Sequence, residues 1–151
     1  MEILRRNTDY ALRLMVSLAR HDEGEAVSTR VLAEEEDVSY QLACKLMQQL
    51  HAAELVESCM GPKGGFRLGR GAADMTVLDV INAIQGPLKM NQCLLSDHAC
   101  GRQHVCPVRV KMGELQKQMD EYLGSVTLEE LARSRGTENT SGAKVAAGRR
   151  K

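Results

Sequence analysis

The sequence predicts a mainly α-helical protein with a small β-hairpin and a long helix near its C-terminal end. Three observations indicate this class: apolar residues recur at helical spacing in separate segments, a glycine-rich turn divides two strand-like stretches, and a narrow apolar stripe follows Pro107. The chain has 151 residues, no Trp and a single Phe. That length suits one compact domain, or a small domain with an appended helix, with a core of aliphatic side chains and Met.

The first two helices are predicted from apolar spacing and from capping residues. Residues 7–20 carry a wide apolar stripe, which is typical of a helix buried on several sides. Ser28 and Thr29 are both suitable N-caps for a short second helix. The acidic run over residues 34–37 follows, and we expect it to be a solvated face, as such runs most often are.

A third helix is predicted to begin at Ser39. Its apolar face is formed by Leu42, Leu46 and Leu50, which recur every four residues. At about 100° per residue, the opposite face carries amides, a thiol and a cation but no carboxylate, namely Gln41, Cys44, Lys45 and Gln48. Such a face suits DNA reading, although polar helix faces are usually only solvated.

A hairpin is predicted in the next stretch, LVESCMGPKGGFRLGR. Residues 55–60 and 66–68 resemble strands, and the glycine-rich residues 61–65 between them are a strong turn signal. Lys63 lies at the tip and Arg67 close behind it. Three helices followed by a hairpin is the order of a winged helix-turn-helix domain, whose third helix enters the major groove of DNA. Helix-plus-hairpin orders also occur in protein-interaction modules.

Charge limits the DNA hypothesis to a local patch. The net charge is zero, and residues 1–75 contain nine basic and twelve acidic residues. A DNA contact would therefore depend on the local distribution of charge. Residues 39–71 reverse the balance, with four basic residues against two acidic ones. The positive charge thus lies where a winged helix-turn-helix domain would need it.

The C-terminal half is predicted to contain three further helices. Thr76 and Asp79 form a capping box for a helix over residues 77–85, and Thr127 opens a last short helix. Between them, Pro107 suits the first turn of a long helix. Its apolar residues alternate between spacings of four and three, as in helices that pair: Val108, Met112, Leu115, Met119 and Tyr122. The alternative is packing within the same chain, since so short a stripe is marginal on its own.

The stretch CLLSDHACGRQHVC, residues 93–106, holds three of the five cysteines and two of the four histidines. In a reducing compartment, an odd number of cysteines favours metal or redox chemistry over a disulfide framework. Three cysteines suit an iron–sulfur cluster with one further ligand. Together with His98 or His104 they also suit a tetrahedral zinc site, and the third alternative is a set of reactive thiols. The residues alone leave all three open.

Four stretches closely resemble the Rrf-type transcriptional regulators, the IscR/NsrR/RirA-like group: NTDYALRLMVSLA, VSYQLACKLMQQLHAAELVES, GPKGGFRLGR and TLEELA. The resemblance covers roughly residues 1–135, and the glycine-rich wing followed by clustered cysteines is its most specific part. It implies a homodimeric winged-helix protein that binds an operator in double-stranded DNA. The candidate DNA-binding residues are Ser39, Tyr40, Gln41, Cys44, Lys45, Gln48, Pro62, Lys63, Gly64 and Arg67.

The same resemblance implies an iron–sulfur cluster, of either the 2Fe-2S or the 4Fe-4S type. Its protein ligands would be Cys93, Cys100 and Cys106. The IscR-like pattern has a His three residues after the last Cys, where this chain has Arg109, so that ligand is absent. NsrR-like members use an Asp early in the first helix of the partner subunit. The fourth ligand is therefore expected to be Asp9 of the partner subunit or His104.

We therefore predict a transcriptional regulator whose DNA affinity is controlled by an iron–sulfur cluster that senses iron or cluster status, redox state or nitric oxide. The alternative is a cluster-free winged-helix regulator that senses through thiols or a small ligand, and an iron–sulfur or zinc redox protein ranks third. No phosphate loop or nucleophile–base set indicates an enzyme. No apolar run approaches the ~18 residues of a membrane span, and no signal peptide is evident, which favours a cytoplasmic chain.

The expected organisation has five parts. They are a winged helix-turn-helix domain (1–71), a connecting helix (72–90), a cysteine-rich loop (91–106), a dimerisation helix with a C-terminal helix (107–135) and a disordered tail (136–151). The resemblance implies that the helix over residues 107–124 joins the two subunits.

Overall fold

The computed structural model describes residues 3–94, 100–102 and 104–134. In these ranges the chain forms six α-helices and one antiparallel hairpin, in the predicted order. They are α1 (Arg6–Arg20), α2 (Thr29–Glu35), α3 (Tyr40–Ala52), β1 (Val56–Cys59), β2 (Gly65–Leu68), α4 (Val77–Gln85), α5 (Pro107–Ser125) and α6 (Leu128–Arg133). Short 3₁₀ turns lie before and after α4, at Ala72–Asp74 and Gln92–Leu94. The predicted tail at 136–151 lies outside the described residues.

Local capping residues set where the helices begin. The Ser28 hydroxyl accepts a backbone N–H of the first turn of α2, whereas Thr29 is already helical. Ser39 caps α3 in the same way. The predicted capping box of α4 is present, because the Thr76 hydroxyl accepts the Asp79 N–H at 3.2 Å and the Asp79 carboxylate accepts the Thr76 N–H at 2.9 Å. The starts of these three helices are therefore encoded locally.

The main core is built around α1, which contacts α2, α3, α4, α6 and β2. Leu14 and Met15 of α1 are fully buried, together with Leu46 and Leu50 of α3. A second, smaller cluster joins α4 to α5 and contains Val77, Ile81, Leu88, Met119 and Leu123. The buried face of α3 thus packs in the main core, whereas α5 packs on the second cluster. None of the helices in the described ranges is long and apolar enough to cross a membrane.

The acidic run over residues 34–37 is not the purely solvated face that we expected. The Ser17 hydroxyl donates to the Glu35 carboxylate at 2.5 Å, and this hydrogen bond lowers the pKa of Glu35. Arg13 pairs with Glu36 at 3.2 Å, and the Glu36 side chain is only 16% exposed. Both residues therefore contact α1, and the expectation is wrong for Glu36, whereas Glu35 is 41% exposed.

Helix α5 packs on the rest of the chain through one narrow side. Gln116 is its one buried residue among those described. Met119 of the apolar stripe contacts the second core. Val108, Leu115 and Tyr122 of the same stripe are 59%, 42% and 69% exposed. Packing within the chain thus accounts for Met119 and leaves these three side chains in solvent.

Candidate nucleic-acid interface and cysteine loop

The predicted reading face of α3 lies on the solvent side of the helix. Ala43, Leu46 and Met47 are fully buried on the inner side. The outer side carries one half-buried residue, Cys44, and the five exposed residues Ser39, Tyr40, Gln41, Lys45 and Gln48. In the described part of the chain, Lys45 takes part in no ion pair. The face therefore offers hydroxyl, amide and ammonium donors, the groups that contact bases and phosphates.

Tyr40, in the first turn of α3, has partners on both sides. The guanidinium carbon of Arg30 on α2 lies 4.9 Å from the centroid of the Tyr40 ring, a cation–π distance. A hydrogen bond with the Cys44 side chain raises the pKa of Tyr40. Sequence reasoning missed Arg30, because its contact joins two helices and leaves no mark in the periodicity of either.

The wing formed by β1 and β2 has a tightly built turn. Pro62 and Lys63 are exposed at its tip. A Cβ on Gly64 would lie 2.5 Å from a carbonyl oxygen of β1, and a Cβ on Gly65 would lie 2.1 Å from the carbonyl oxygen of Val27. Only glycine fits such close backbone approaches. Gly64, predicted to contact DNA, thus also has a structural role in the turn.

Arg67 is engaged within the wing. It lies directly opposite Glu57 in the hairpin register, and its Nε and Nη2 atoms donate to the Glu57 carboxylate at 3.0 and 2.8 Å. Glu57 raises the pKa of Arg67. In the described part of the chain, Lys63 takes part in no ion pair. Lys63 is therefore the cation that the wing offers most readily to a phosphate.

The three predicted cluster ligands lie in the connection between α4 and α5. Cys93 is half-buried in the 3₁₀ turn after α4, Cys100 is exposed, and Cys106 is the half-buried N-cap of α5. All three are free thiols. Among the described residues, no group of three or more His, Cys, Asp or Glu side chains is placed to hold a metal ion, so the structure does not bring these thiols together. His98, a candidate zinc ligand, lies outside the described residues.

The chemistry of this donor set nevertheless fits an iron–sulfur cluster. Iron–sulfur clusters are held by thiolates, and none of the three thiols is consumed in a disulfide. Both candidate fourth ligands are accessible. Asp9 is exposed in the first turn of α1, and His104 is exposed shortly before α5.

Two glutamines that the sequence did not single out anchor the segment leading into the cysteine loop. Gln85, the last residue of α4, accepts the Thr8 hydroxyl at 2.6 Å and so joins α4 to the start of α1. Gln116 of α5 accepts the Met90 N–H at 3.0 Å and donates to the Leu88 carbonyl at 2.9 Å. The segment before Cys93 is therefore fixed to α1 and to α5. An isolated glutamine carries no sequence signal for such a role.

A family model for Rrf2, described as an iron-dependent transcriptional regulator, matches residues 4–134. The chain belongs to the Rrf2 family. It is similar to protein rrf2 of Nitratidesulfovibrio vulgaris strain Hildenborough, with 31% identity over 124 residues, which are 82% of this chain and 83% of that protein.

Two solved structures show the same likeness. One is CymR, the global cysteine regulator of B. subtilis, with a TM-score of 0.70 and 28% identity over 87% of this chain and 97% of CymR. The other is IscR of T. potens, with a TM-score of 0.68 and 27% identity over 84% of this chain and 83% of that chain. The predicted family and winged-helix fold class are confirmed. This Rrf2-family chain is a transcriptional regulator of the DNA-binding type.

Proposed function

We propose that this Rrf2-family chain binds a specific operator as a homodimer, and that an iron–sulfur cluster at Cys93, Cys100 and Cys106 controls its affinity. The observation that carries the proposal is the position of the cysteine loop between two helices that differ in what they contact. Helix α4 packs on α1 and α3, whereas α5 carries the exposed apolar stripe. A change in the loop therefore alters the position of α3 in one subunit relative to α3 in the other subunit.

In this proposal, α3 and the wing recognise DNA. A helix about 10–12 Å across fits the major groove, and its N-terminal residues reach the base edges. Ser39, Tyr40 and Gln41 occupy that position, and a Gln amide pairs bidentately with adenine. Lys45 and Lys63 neutralise phosphates, which supplies affinity without sequence preference.

In this proposal, the two subunits pair through α5. Its 19 residues correspond to about 28 Å of helix, and the exposed stripe runs along it. Pairing two such stripes buries apolar side chains that one chain leaves in water. Dimeric readers need half-sites about one helical turn of DNA apart, so a small rotation at this interface changes the fit to an operator.

In this proposal, an iron–sulfur cluster in the cysteine loop senses the signal. When bound, a cluster with three thiolates and one weaker ligand supplies a centre open to oxidants and nitric oxide, and its presence reports iron and cluster status. Asp9 of the partner subunit or His104 would complete the ligand set. The matching family is described as iron-dependent, which supports an iron–sulfur sensor. The anchors at Gln85 and Gln116 transmit a change in the loop to α1 and α5.

A second candidate function is a cluster-free regulator that senses through the same thiols. Two observations favour it: Cys100 is an exposed free thiol, and the described residues gather no metal-binding group. Similarity to CymR, a global cysteine regulator, points the same way. In this alternative, reversible oxidation of the thiols changes the conformation of the loop.

Anaerobic purification separates the two functions. The cluster proposal predicts a coloured protein that contains iron and sulfide, and an affinity for DNA that changes when the cluster is removed. The measurement is fluorescence anisotropy with a duplex selected from a random-sequence library by the anaerobic protein. Replacing Cys93, Cys100 and Cys106 together with Ala should give the cluster-free affinity in every preparation.

Cys59→Ala is the matched control, because it removes a half-buried free thiol outside the loop. It should leave iron, sulfide and affinity unchanged. A colourless protein whose affinity responds to oxidants would transfer support to the thiol regulator. If the triple variant bound every selected duplex as the wild type does in both states, control by the loop would be wrong.

A further inference from the structure

Among the described residues, Arg30 differs from three other arginines of the N-terminal half in having no acidic partner. Arg13 is paired with Glu36, Arg67 with Glu57 and Arg70 with Asp79. In the part of the chain that the structure describes, no carboxylate lies within ion-pair distance of Arg30. The side chain of Arg30 is exposed, so its charge faces solvent and is not offset by a neighbouring acid.

The side chain of Arg30 is nevertheless held in place. Its guanidinium carbon lies 4.9 Å from the centroid of the Tyr40 ring. A guanidinium held over an aromatic ring is attracted through its positive charge and needs no hydrogen-bond acceptor there. The cation–π contact therefore restricts a long side chain and leaves N–H donors available to a phosphate.

The contact also has a defined place in the fold. Arg30 lies in the first turn of α2, and Tyr40 lies in the first turn of α3. In a helix-turn-helix, the first helix of the pair crosses the DNA backbone while the second enters the major groove. A cation on α2 that touches the leading turn of α3 is therefore placed at the rim of the groove, where the phosphates run.

We propose that Arg30 is a DNA phosphate contact and that Tyr40 is the residue that positions it. This inference rests on the proposed function, since it requires α3 to occupy the major groove. Arg30 would fix the depth and angle of α3 through a charge-assisted hydrogen bond to the backbone. Tyr40 would then act mainly as a platform for Arg30, with its hydroxyl of secondary importance.

Salt titration of DNA binding tests the assignment. The full chain is titrated with the selected duplex and with an unrelated duplex, from about 0.1 M to about 0.4 M salt. Arg30→Ala should weaken both to the same extent, by on the order of tenfold at 0.1 M salt, and should reduce the slope of log affinity against log salt by about one unit. Lys117→Ala, which removes an exposed cation from α5, should leave the slope unchanged.

The role of Tyr40 needs its own variants. Tyr40→Phe keeps the ring and removes only the hydroxyl, so any loss of affinity that it causes should be the same at every salt concentration, whereas the Arg30→Ala defect changes with salt. Tyr40→Leu removes the platform and should reproduce part of the Arg30→Ala defect. In the double variant with Arg30→Ala, the slope should be that of Arg30→Ala alone, because the ring acts through the arginine. Equal melting temperatures of the variants establish that folding is intact.

Three outcomes would overturn the inference. They are an unchanged slope in Arg30→Ala, a loss confined to the selected duplex, which would indicate a base contact, or additive slopes in the double variant. Gln41→Ala and Lys45→Ala separate this failure from failure of the proposed function. If they weaken binding while Arg30→Ala does not, only the role of Arg30 is wrong. If none of the three weakens binding, the placement of α3 in the groove is wrong.

Discussion

The net charge of the wing depends on an ion pair between its two strands. Glu57 and Arg67 face each other across the hairpin and are both about half exposed. An exposed pair of this kind contributes little to stability. Its effect on binding is larger in principle, because Glu57 offsets the charge of Arg67 and would itself repel a phosphate.

Glu57→Gln should therefore strengthen binding to DNA of any sequence. The substitution frees Arg67 and removes a carboxylate from the wing, so the salt dependence should become steeper by about one unit. Fluorescence anisotropy at several salt concentrations measures both effects. Glu121→Gln, which removes an exposed carboxylate from α5, should change neither. An unaltered slope in Glu57→Gln would mean that this part of the wing does not approach the phosphates.

At this scale, the sequence predicted side-chain orientation well and electrostatic partners poorly. A helical period was sufficient to assign Gln41, Lys45 and Gln48 to the solvent face of α3. The pairing of Arg67 with Glu57 depends on the hairpin register, which the predicted strand bounds did not fix. The cation–π contact between Arg30 and Tyr40 depends on how two helices cross. Such contacts arise from tertiary structure and have no local signature.

At the scale of the elements, a buried polar residue of α5 adds to the apolar contacts of that helix with its own chain. Gln116 is 6% exposed, and its amide satisfies the Met90 N–H, the Leu88 carbonyl and the Asp120 carboxylate. Buried polar groups of this kind are costly when left without partners. Gln116 therefore adds hydrogen bonds to Leu88 and Met90 where Leu88 also lies in the apolar cluster with Met119 and Leu123 of α5.

Gln116→Ala should lower the free energy of unfolding by roughly 1–3 kcal/mol, because the buried Leu88 C=O and the half-buried Met90 N–H each lose their partner. Urea unfolding at a fixed protein concentration measures this loss. Amide hydrogen exchange at Met90 should also become faster. Gln118→Ala is the matched control, since Gln118 is exposed two residues further along the same helix. Equal losses in the two variants would show that the Gln116 bonds do not hold the segment.

The elements themselves were predictable because their signals are local. Capping residues at Ser28, Ser39 and Thr76 fixed the starts of three helices, and the glycine-rich turn fixed the position of the hairpin. The docking of Glu35 and Glu36 was not predictable from local sequence. A run of acidic residues on a helix looks the same whether it faces water or the Ser17 and Arg13 side chains of a neighbouring helix.

At the scale of the whole molecule, two separate apolar cores hold the helices in place. The main core sets the position of α3, and the second cluster sets the position of α5 relative to α4. The cysteine loop lies in the connection between these two helices, and the glutamine anchors fix its beginning. Under the proposed function, we expect this loop to act on DNA affinity through the second subunit, because its anchors contact α1 and α5 rather than the reading face of α3.

Leu115→Glu tests that expectation directly. Leu115 lies in the exposed stripe, and a carboxylate buried there without a partner costs about 3–5 kcal/mol, or more than about a hundredfold in the dimer dissociation constant. Analytical ultracentrifugation should show a monomer, and binding to a two-half-site operator should weaken while the fold is retained. Lys117→Glu places the same charge on the other side of α5, where Lys117 is 78% exposed, and should leave the dimer intact. A Leu115→Glu protein that remained dimeric at the same concentration would mean that the stripe is not the interface, and the coupling between loop and operator would have to run through another surface.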